Sequence, residues 1–280
     1  MQINADLDPE NVMKKFLLAT VALSALVAAP AMAADLAARP YTKAPAFIPA
    51  PIYNWTGFYI GGNAGYSFAD RTDINTSGQV AANADTVARG LRNPLVSIDR
   101  DGFIGGVQAG YNWQTSPNFV FGLEADIQYV DARRRLNAFG TSGLANNFRS
   151  NMDYLGTFRG RVGYTWGATM LYGTGGLAYA GVNNSASFFN GAGALAFFGE
   201  DRTTKTGYTV GGGIEHMFTP NWSVKGEYLY YDLGRSNVAV NLVAPGRGVG
   251  TGYNTNFRND GHIVRAGLNY KFGGPIVARY

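Results

Sequence analysis

Apolar residues alternate with small or polar residues along eight segments of the chain, at the two-residue period of a β-strand. The alternation is clearest over residues 119–130, where Phe119, Phe121 and Leu123 share one parity and Glu124 has the other. Such a segment turns one face to an apolar environment and the opposite face to a polar one. The predicted strands span residues 55–69, 102–113, 119–130, 153–165, 169–182, 205–218, 222–233 and 262–272.

The connections between these strands alternate in length. Long polar segments occupy residues 70–100, 131–151, 183–203 and 234–260, and short turns lie near residues 115–118, 166–168 and 219–221. An even number of strands, each near the ~9–11 residues that cross a bilayer at a tilt, with such alternating connections, is typical of outer-membrane barrels. We therefore predict an all-β fold, an eight-stranded antiparallel up-and-down transmembrane β-barrel with long outer loops and short periplasmic turns.

Tryptophans recur at nearly constant intervals, and all four fall on the side of the short turns. Aromatic side chains of membrane barrels concentrate at the two interfaces, where their amphipathic rings meet the headgroups. We therefore predict a periplasmic aromatic girdle that consists of Trp55, Trp113, Trp166, Trp222, Phe218, Tyr270 and Phe272. Repeats of about fifty residues also occur in propellers, but a propeller blade needs four strands and each interval here holds two.

Strand register assigns nine charged residues to the barrel interior. A Lys or Arg that faces lipid at the midplane costs about 2–4 kcal/mol, so strand charges are expected inside. The lumen of an eight-stranded barrel is just wide enough to be filled by side chains, and buried charges are costly unless they pair. We predict a salt-bridged polar plug in which Glu124 and Asp126 approach Arg159 and Arg161 on the neighbouring strand. Its members are Glu124, Asp126, Arg159, Arg161, Glu215, Lys225, Glu227, Arg265 and Lys271. The alternative, a narrow gated pore whose selectivity these charges set, stays open.

Composition agrees with short strands and tight turns. Charged residues make up 15% of the chain, against roughly 25% in an average soluble domain, and 38 residues are glycine. The mean hydropathy of -0.09 indicates no membrane helix outside the N-terminal region. The chain has 0 cysteines, which excludes disulfides and thiolate metal sites. The net charge of +4 is too mild to favour nucleic acid as a partner.

The N-terminal region carries the pattern of a targeting sequence. Lys14 and Lys15 precede an apolar run and the motif Ala31-Met32-Ala33, which is the arrangement of a secretory signal peptide. The apolar run is short for a membrane anchor of ~20 residues. We predict a non-native upstream extension at 1–12, a signal peptide at 13–33, a Pro-rich periplasmic lead-in at 34–54, the outer-membrane barrel at 55–272 and a C-terminal tail at 273–280.

Candidate residues for chemistry are few. Catalysis needs a base close to a nucleophile, and the two histidines, His216 and His262, fall at opposite ends of their predicted strands. A loop hydroxyl such as Ser236 near His262 belongs to no motif, and no pattern indicates a metal or phosphate site. We predict no enzyme activity, no cofactor and no metal site. The run Arg133-Arg134-Arg135 is either a clamp for lipid phosphates or a solvated loop start.

Motifs at both ends of the predicted barrel resemble those of a known family. A signal that ends Ala-Met-Ala-Ala-Asp-Leu precedes the Pro-rich lead-in, residues 55–66 read WTGFYIGGNAGY, and residues 264–272 read VRAGLNYKF. The chain is thereby similar to the alphaproteobacterial outer-membrane immunogenic protein family, which consists of small porin-like eight-stranded outer-membrane β-barrel proteins. The similarity covers essentially all of the mature chain.

The resemblance implies a location in the outer membrane, surface-exposed antigenic loops and a role in envelope integrity. Some family members are described as porins or as haemin binders, but no motif here carries either activity. We predict a monomer that contacts outer-membrane lipid and lipopolysaccharide and is inserted by the barrel-assembly machinery, which reads an aromatic residue, Phe272 or Tyr280. Our hypothesis is an envelope-structural and surface-interaction protein. The alternatives are a small diffusion porin and a surface adhesin that binds haemin, a host factor or another ligand through its outer loops.

Overall fold

A computed structural model describes residues 53–68, 72–98, 101–243 and 251–273 of the chain. The predicted extension, signal peptide, most of the lead-in and the end of the tail with Tyr280 lie outside the described residues. No helix in the described ranges is both long and apolar enough to cross a membrane. The elements are β1 (Gly57–Phe68), β2 (Thr72–Gly78), α1 (Ala81–Ala88), β3 (Leu95–Ile98), β4 (Gly102–Ser116), β5 (Phe119–Phe139), β6 (Ala145–Trp166), β7 (Thr169–Phe189), β8 (Leu195–Met217), β9 (Trp222–Leu242) and β10 (Tyr253–Lys271).

Eight of the strands close into a ring. β1 and β4 to β10 pair antiparallel with their neighbours in chain order, and β1 also pairs with β10. In this closing pair Tyr59 lies opposite Lys271 and Phe68 lies opposite His262. The predicted up-and-down barrel of eight antiparallel strands is confirmed.

The long connections are mostly strand, which corrects three of the predicted loops. β5 runs on to Phe139, and β6 already begins at Ala145. In these outer parts of the strands, the outward positions are polar and the inward positions are largely apolar. The prediction looked for apolar residues on the outward face, so it ended these strands too early. The β8–β9 ladder is interrupted between Phe198 and Tyr208. The corrected segments are 131–151, 183–203 and the described parts of 234–260, which are residues 234–243 and 251–260.

The segment 70–100, also predicted as a loop, contains two short strands and a helix. β2 pairs with the outer half of β10, where Ile74 lies opposite Phe257, and β3 pairs with β2. α1 lies at the same end of the barrel, and the hydroxyls of Thr86 and Tyr253 are 2.9 Å apart. The barrel wall therefore continues past the end of β1 and β4 as an outer section.

The outward face of the barrel carries aromatic residues at two levels. One level lies beside the short turns and the other lies below the outer section. In β6 the two levels are marked by Tyr164 and Tyr154, ten positions apart. At about 3.3 Å per residue and a strand tilt of about 40°, they are separated by about 25 Å, the height of the apolar band of outer-membrane barrels. The outer level includes Tyr66, Tyr129, Tyr154, Tyr179 and Tyr208.

Candidate functional site in the barrel interior

Eight of the nine charged residues assigned to the interior lie together inside the barrel, and each is at most 5% exposed. They come from β5, β6, β8, β9 and β10, so the group spans the lumen from wall to wall. Four are basic and four are acidic, which balances the formal charge. We call this group the ion cluster, and its members are Glu124, Asp126, Arg159, Arg161, Glu215, Lys225, Glu227 and Arg265.

Arg159 lies at the centre of the ion cluster. Its Nη2 donates to Glu124 Oε1 at 2.5 Å and to Asp126 Oδ2 at 2.9 Å, both on the adjacent strand β5. Its Nη1 donates to Glu227 Oε1 at 3.0 Å on β9, which is on the far side of the lumen. Its Nε donates to Thr157 Oγ1 at 2.9 Å. Four of the five guanidinium donor positions are thereby engaged with three carboxylates and a hydroxyl.

Lys225 and Arg265 each reach β5 from a strand that does not neighbour it, and Arg265 also contacts Glu227, which lies opposite it on the adjacent strand β9. Lys225 Nζ on β9 donates to both carboxylate oxygens of Glu124 on β5, each at 2.8 Å. Arg265 on β10 donates from Nε to Glu227 Oε2 at 2.7 Å and from Nη2 to Asp126 Oδ2 at 3.1 Å. The contacts of Lys225 with Glu124 and of Arg265 with Asp126 therefore cross the lumen.

Two buried tyrosines join the cluster, and the sequence prediction missed both. The Tyr59 hydroxyl donates to Glu124 Oε2 at 2.7 Å and accepts from Arg161 Nη1 at 2.9 Å. The Tyr172 hydroxyl donates to Glu227 Oε1 at 3.0 Å, and the Arg161 guanidinium lies 4.2 Å from the centre of the Tyr172 ring. The alternation along β1 could have predicted the position of Tyr59, because this residue lies on the same face of the strand as the small and polar residues that point inward.

Lys271 departs from the predicted network. It is the last residue of β10, three inward positions below Arg265, and this distance along the strand separates it from the ion cluster. Its Nζ donates to the backbone carbonyl of Asn54 at the short-turn end of the barrel. Lys271 therefore anchors the chain that leads into β1 and is not one of the cross-lumen ion pairs.

Two apolar layers enclose the ion cluster. Along β7 the buried side chains Met170 and Tyr172 lie below it, Thr174 lies beside it, and Ala180 and Val182 lie above it. The lower layer consists of Trp55, Val120, Met170, Tyr172 and Met217. The middle layer, above the cluster, consists of Ile104, Val130, Met152, Leu155, Ala178, Ala180, Val182, Leu229, Tyr231, Leu233 and Ile263. The prediction assigned charged, polar and small residues to the lumen and missed these apolar layers.

A third apolar layer fills the outer section. Arg92, which is 4% exposed, lies at its top and donates to Asn146 Oδ1 at 2.8 Å and to the Phe189 carbonyl at 2.7 Å. The Arg92 guanidinium is 5.2 Å from the centre of the Phe188 ring. The outer layer consists of Ile74, Ile98, Phe148, Ala186, Phe188, Val238, Val240, Tyr253 and Phe257. The three apolar layers and the ion cluster thus follow one another from the short turns to the outer hairpins.

Trp55 differs from the predicted aromatic girdle. It is 1% exposed and belongs to the lower layer inside the barrel, where its backbone N–H donates to Gln114 Oε1 at 2.9 Å. Trp55 has the same inward parity as Tyr59, so its indole lies inside the lower mouth of the barrel. The other six residues of the predicted girdle point outward near the short turns, and these are Trp113, Trp166, Trp222, Phe218, Tyr270 and Phe272.

The structure does not bring the candidate catalytic residues together. His216 is exposed near the short turns and its Nδ1 is 2.9 Å from Thr169 Oγ1. His262 lies toward the outer section, with Nδ1 2.6 Å from the Tyr228 hydroxyl. Ser236 is buried and accepts a hydrogen bond from Asn259 Nδ2 at 3.0 Å. Within the described ranges no group of three or more His, Cys, Asp or Glu side chains has the geometry of a metal site.

The arginine run at 133–135 does not form a single clamp. Arg134 Nη2 contacts Asp101 Oδ2 at 3.8 Å, whereas Arg135 is exposed on the outward face. The side chain of Arg133 is not among those described. The three residues lie within β5, so the predicted loop start is corrected, and strand alternation sends neighbouring arginines in different directions.

Comparison with known proteins gives extensive matches. The family model for the outer membrane protein beta-barrel domain matches residues 19–272. The chain is 38% identical to the 31 kDa outer-membrane immunogenic protein of Brucella melitensis biotype 1 over 93% of its own length and 100% of the relative. It is 29% identical to the 22 kDa outer membrane protein of Rhizobium leguminosarum bv. viciae, over 79% of this chain and 80% of the relative.

Solved structures of outer-membrane proteins are also similar to the chain. The outer membrane protein OprG from Pseudomonas aeruginosa aligns with a TM-score of 0.46 at 13% identity, over 80% of this chain and 100% of that one. Neisserial surface protein A aligns with a TM-score of 0.34 at 17% identity, over 78% of this chain and 98% of that one.

Proposed function

Because the chain belongs to the outer-membrane β-barrel family and to its outer-membrane immunogenic branch, we propose that it serves as a closed structural barrel of the envelope. The protein is a non-enzymatic β-barrel of the outer membrane. On this proposal the membrane section fixes the chain in the bilayer and the outer section presents four connections to the cell exterior. The barrel interior gives rigidity and does not conduct.

The observation that carries the proposal is the order of layers along the lumen. A hydrated solute that crosses the barrel would have to pass the lower apolar layer, the ion cluster and the middle apolar layer in turn. Removing water from a polar solute costs several kcal/mol when no hydrogen-bond partner replaces it. The apolar layers offer few such partners, and the carboxylates and guanidiniums of the ion cluster are already engaged with one another.

The ion cluster supports a structural role for a second reason. Glu124 on β5 receives hydrogen bonds or ion pairs from Arg159 on β6 and Lys225 on β9. The Lys225 contact and the contact of Arg159 with Glu227 on β9 tie non-adjacent strands to one another, so deformation of the barrel cross-section would separate charges in a region from which water is excluded. A barrel that is stiff for this reason suits a load-bearing component of the envelope.

The alternatives find less support. A small diffusion porin needs a water-filled path, whereas the polar side chains Asn63, Gln108 and Asn269 beside the apolar layers are buried and bonded to one another. The haemin hypothesis relies on Tyr and Arg side chains of the long connections, and Tyr253 is the one tyrosine in the four segments that were predicted as loops. It is 3% exposed, and its hydroxyl faces Thr86.

Reconstitution into liposomes tests the proposal. We expect no swelling in isotonic solutions of small sugars and no stable unitary conductance in planar bilayers, because no hydrated path crosses the apolar layers. A general diffusion porin reconstituted at the same protein-to-lipid ratio serves as the positive control, and heat-modifiable gel mobility verifies that the barrel is folded. Swelling at a rate comparable to that of the porin would support the diffusion porin instead.

A further inference from the structure

Two arginines lie side by side on the outward face of the outer section. Arg135 on β5 is directly opposite Arg149 on β6 in the strand register, and both side chains are exposed. Directly opposed residues of antiparallel strands have Cβ atoms about 4.5–5.5 Å apart, and like charges in such a pair destabilise the sheet. The wall at this point therefore carries a concentrated positive charge at a cost to folding.

The described residues offer the two arginines no neutralising partner. In the part of the chain that the structure describes, neither forms an ion pair with a carboxylate. Two other exposed arginines of the outer section have one: Arg258 contacts Asp260 at 3.0 Å, and Arg202 contacts Asp153 at 3.9 Å. An anion from outside the chain would relieve the repulsion between Arg135 and Arg149.

The arginine pair lines a groove of about 440 Å³ across β5 to β8. Sites that hold small ligands have volumes of about 300–1,000 Å³. The remaining polar lining consists mostly of amides and hydroxyls, which donate hydrogen bonds to the oxygens of a phosphate or a sugar. These residues are Asn137, Asn147, Asn183, Ser185 and Ser187.

The groove lies at the level of the lipid headgroups. Arg149 is five residues beyond Tyr154 of the outer aromatic level along β6, with one irregularity in the ladder between them. About four regular steps of 3.3 Å at a tilt of about 40° place the Arg149 backbone about 10 Å above that level. A long arginine side chain bends toward the headgroups from such a position.

We propose that Arg135 and Arg149 bind a phosphate of the lipid A headgroup in the outer leaflet, and that the amides and hydroxyls of the groove contact the attached sugar. Two guanidinium groups present paired donors that match the oxygens of one phosphate. Glu200 lines the far side of the groove, two strands from Arg149, about 10 Å away at the usual strand spacing. Because the Glu200 carboxylate repels a second anion, we expect the groove to hold a single anionic group, beside the arginines.

The test measures binding of lipid A to the folded, full-length barrel in nanodiscs made of uncharged lipid. We expect the double variant Arg135→Thr, Arg149→Thr to weaken binding of phosphorylated lipid A at least tenfold. Thr suits exposed strand positions, and heat-modifiable mobility verifies folding. Arg258→Thr is the matched control, because it removes the same charge from the outer section away from the groove, and we expect it to leave affinity within twofold. Glu200→Gln is expected to strengthen binding.

The source of the phosphate is tested in the same assay. Lipid A without phosphates should bind the unchanged protein as weakly as phosphorylated lipid A binds the double variant. Millimolar inorganic phosphate should compete poorly, because it lacks the sugar contacts. The proposal is overturned if the double variant binds as well as the unchanged protein, if Arg258→Thr loses as much affinity, or if inorganic phosphate displaces lipid A fully. None of these outcomes depends on whether the lumen conducts.

Discussion

Replacing Glu124 with Gln will lower the free energy of unfolding of the barrel by about 3–5 kcal/mol, because removal of one partner leaves buried charges uncompensated. Glu124 is 2% exposed and accepts from Arg159, Lys225 and Tyr59. The amide of Gln has nearly the same shape but no charge, so Lys225 Nζ loses its principal counter-ion. Urea unfolding of the barrel in lipid vesicles, followed by tryptophan fluorescence, measures the change.

Glu200→Gln is the control for this substitution. Glu200 is exposed in the outer section, and the same chemical change there should alter the free energy of unfolding by no more than about 0.5 kcal/mol. A double variant, Glu124→Gln with Lys225→Met, restores the balance of charge and should recover at least about 1 kcal/mol relative to Glu124→Gln alone. A loss below about 1 kcal/mol in Glu124→Gln would show that the ion cluster does not brace the barrel.

Replacing Phe188 with Ala will destabilise the outer section by about 3–5 kcal/mol, the usual cost of a large-to-small change in a packed core. Phe188 is 0% exposed, and its ring packs edge-on against Phe148 and Tyr253 with centroid distances of 5.8 and 5.1 Å. Unlike the lipid-facing surface, this layer lies in a section that we place in water, where the hydrophobic effect drives its burial. Protease cleavage of the outer hairpins on whole cells, together with urea unfolding, reports the loss.

Phe139→Ala separates packing from the simple removal of an aromatic ring. Phe139 ends β5 and is 66% exposed, so its truncation should change stability by less than about 0.5 kcal/mol. The membrane section should keep its heat-modifiable mobility in both variants. Equal protease sensitivity of the two variants would contradict the assignment of Phe188 to a packed outer layer.

Strand alternation was sufficient to predict the membrane section of the barrel. The inward parity of Glu124 and Arg159 follows from a period of two residues, and their opposition follows from neighbouring antiparallel strands. The cross-lumen contacts of Lys225 and Arg265 did not follow from the same information. They depend on the diameter of the barrel and on which strands face each other across it, which one sequence does not define.

The outer section was missed for a physical reason. Strand segments inside the bilayer have apolar outward residues, and their alternation with polar or small inward residues is easy to see. Strand segments outside the bilayer have polar outward residues, so only their inward residues are apolar. Phe148 and Phe188 are inward residues of this kind, in segments predicted as loops. Trp55 was assigned to the lipid interface because of the regular tryptophan spacing, although it shares the inward parity of Tyr59 and is buried like it. The alternation of residues along the chain therefore predicts the strands of the barrel wall better than it predicts the residues that cover its two mouths.

The distribution of the ion cluster over the strands has a consequence for the order of assembly. The strands β5 to β9 contribute four acidic residues but three basic ones, and the fourth basic residue, Arg265, arrives with β10. A barrel that lacks β10 therefore has one more carboxylate than cations in the ion cluster of its lumen. Docking of β10 removes this imbalance at the moment when it pairs with β1. Closure of the ring between β10 and β1 is therefore also the step that balances the charge in the lumen.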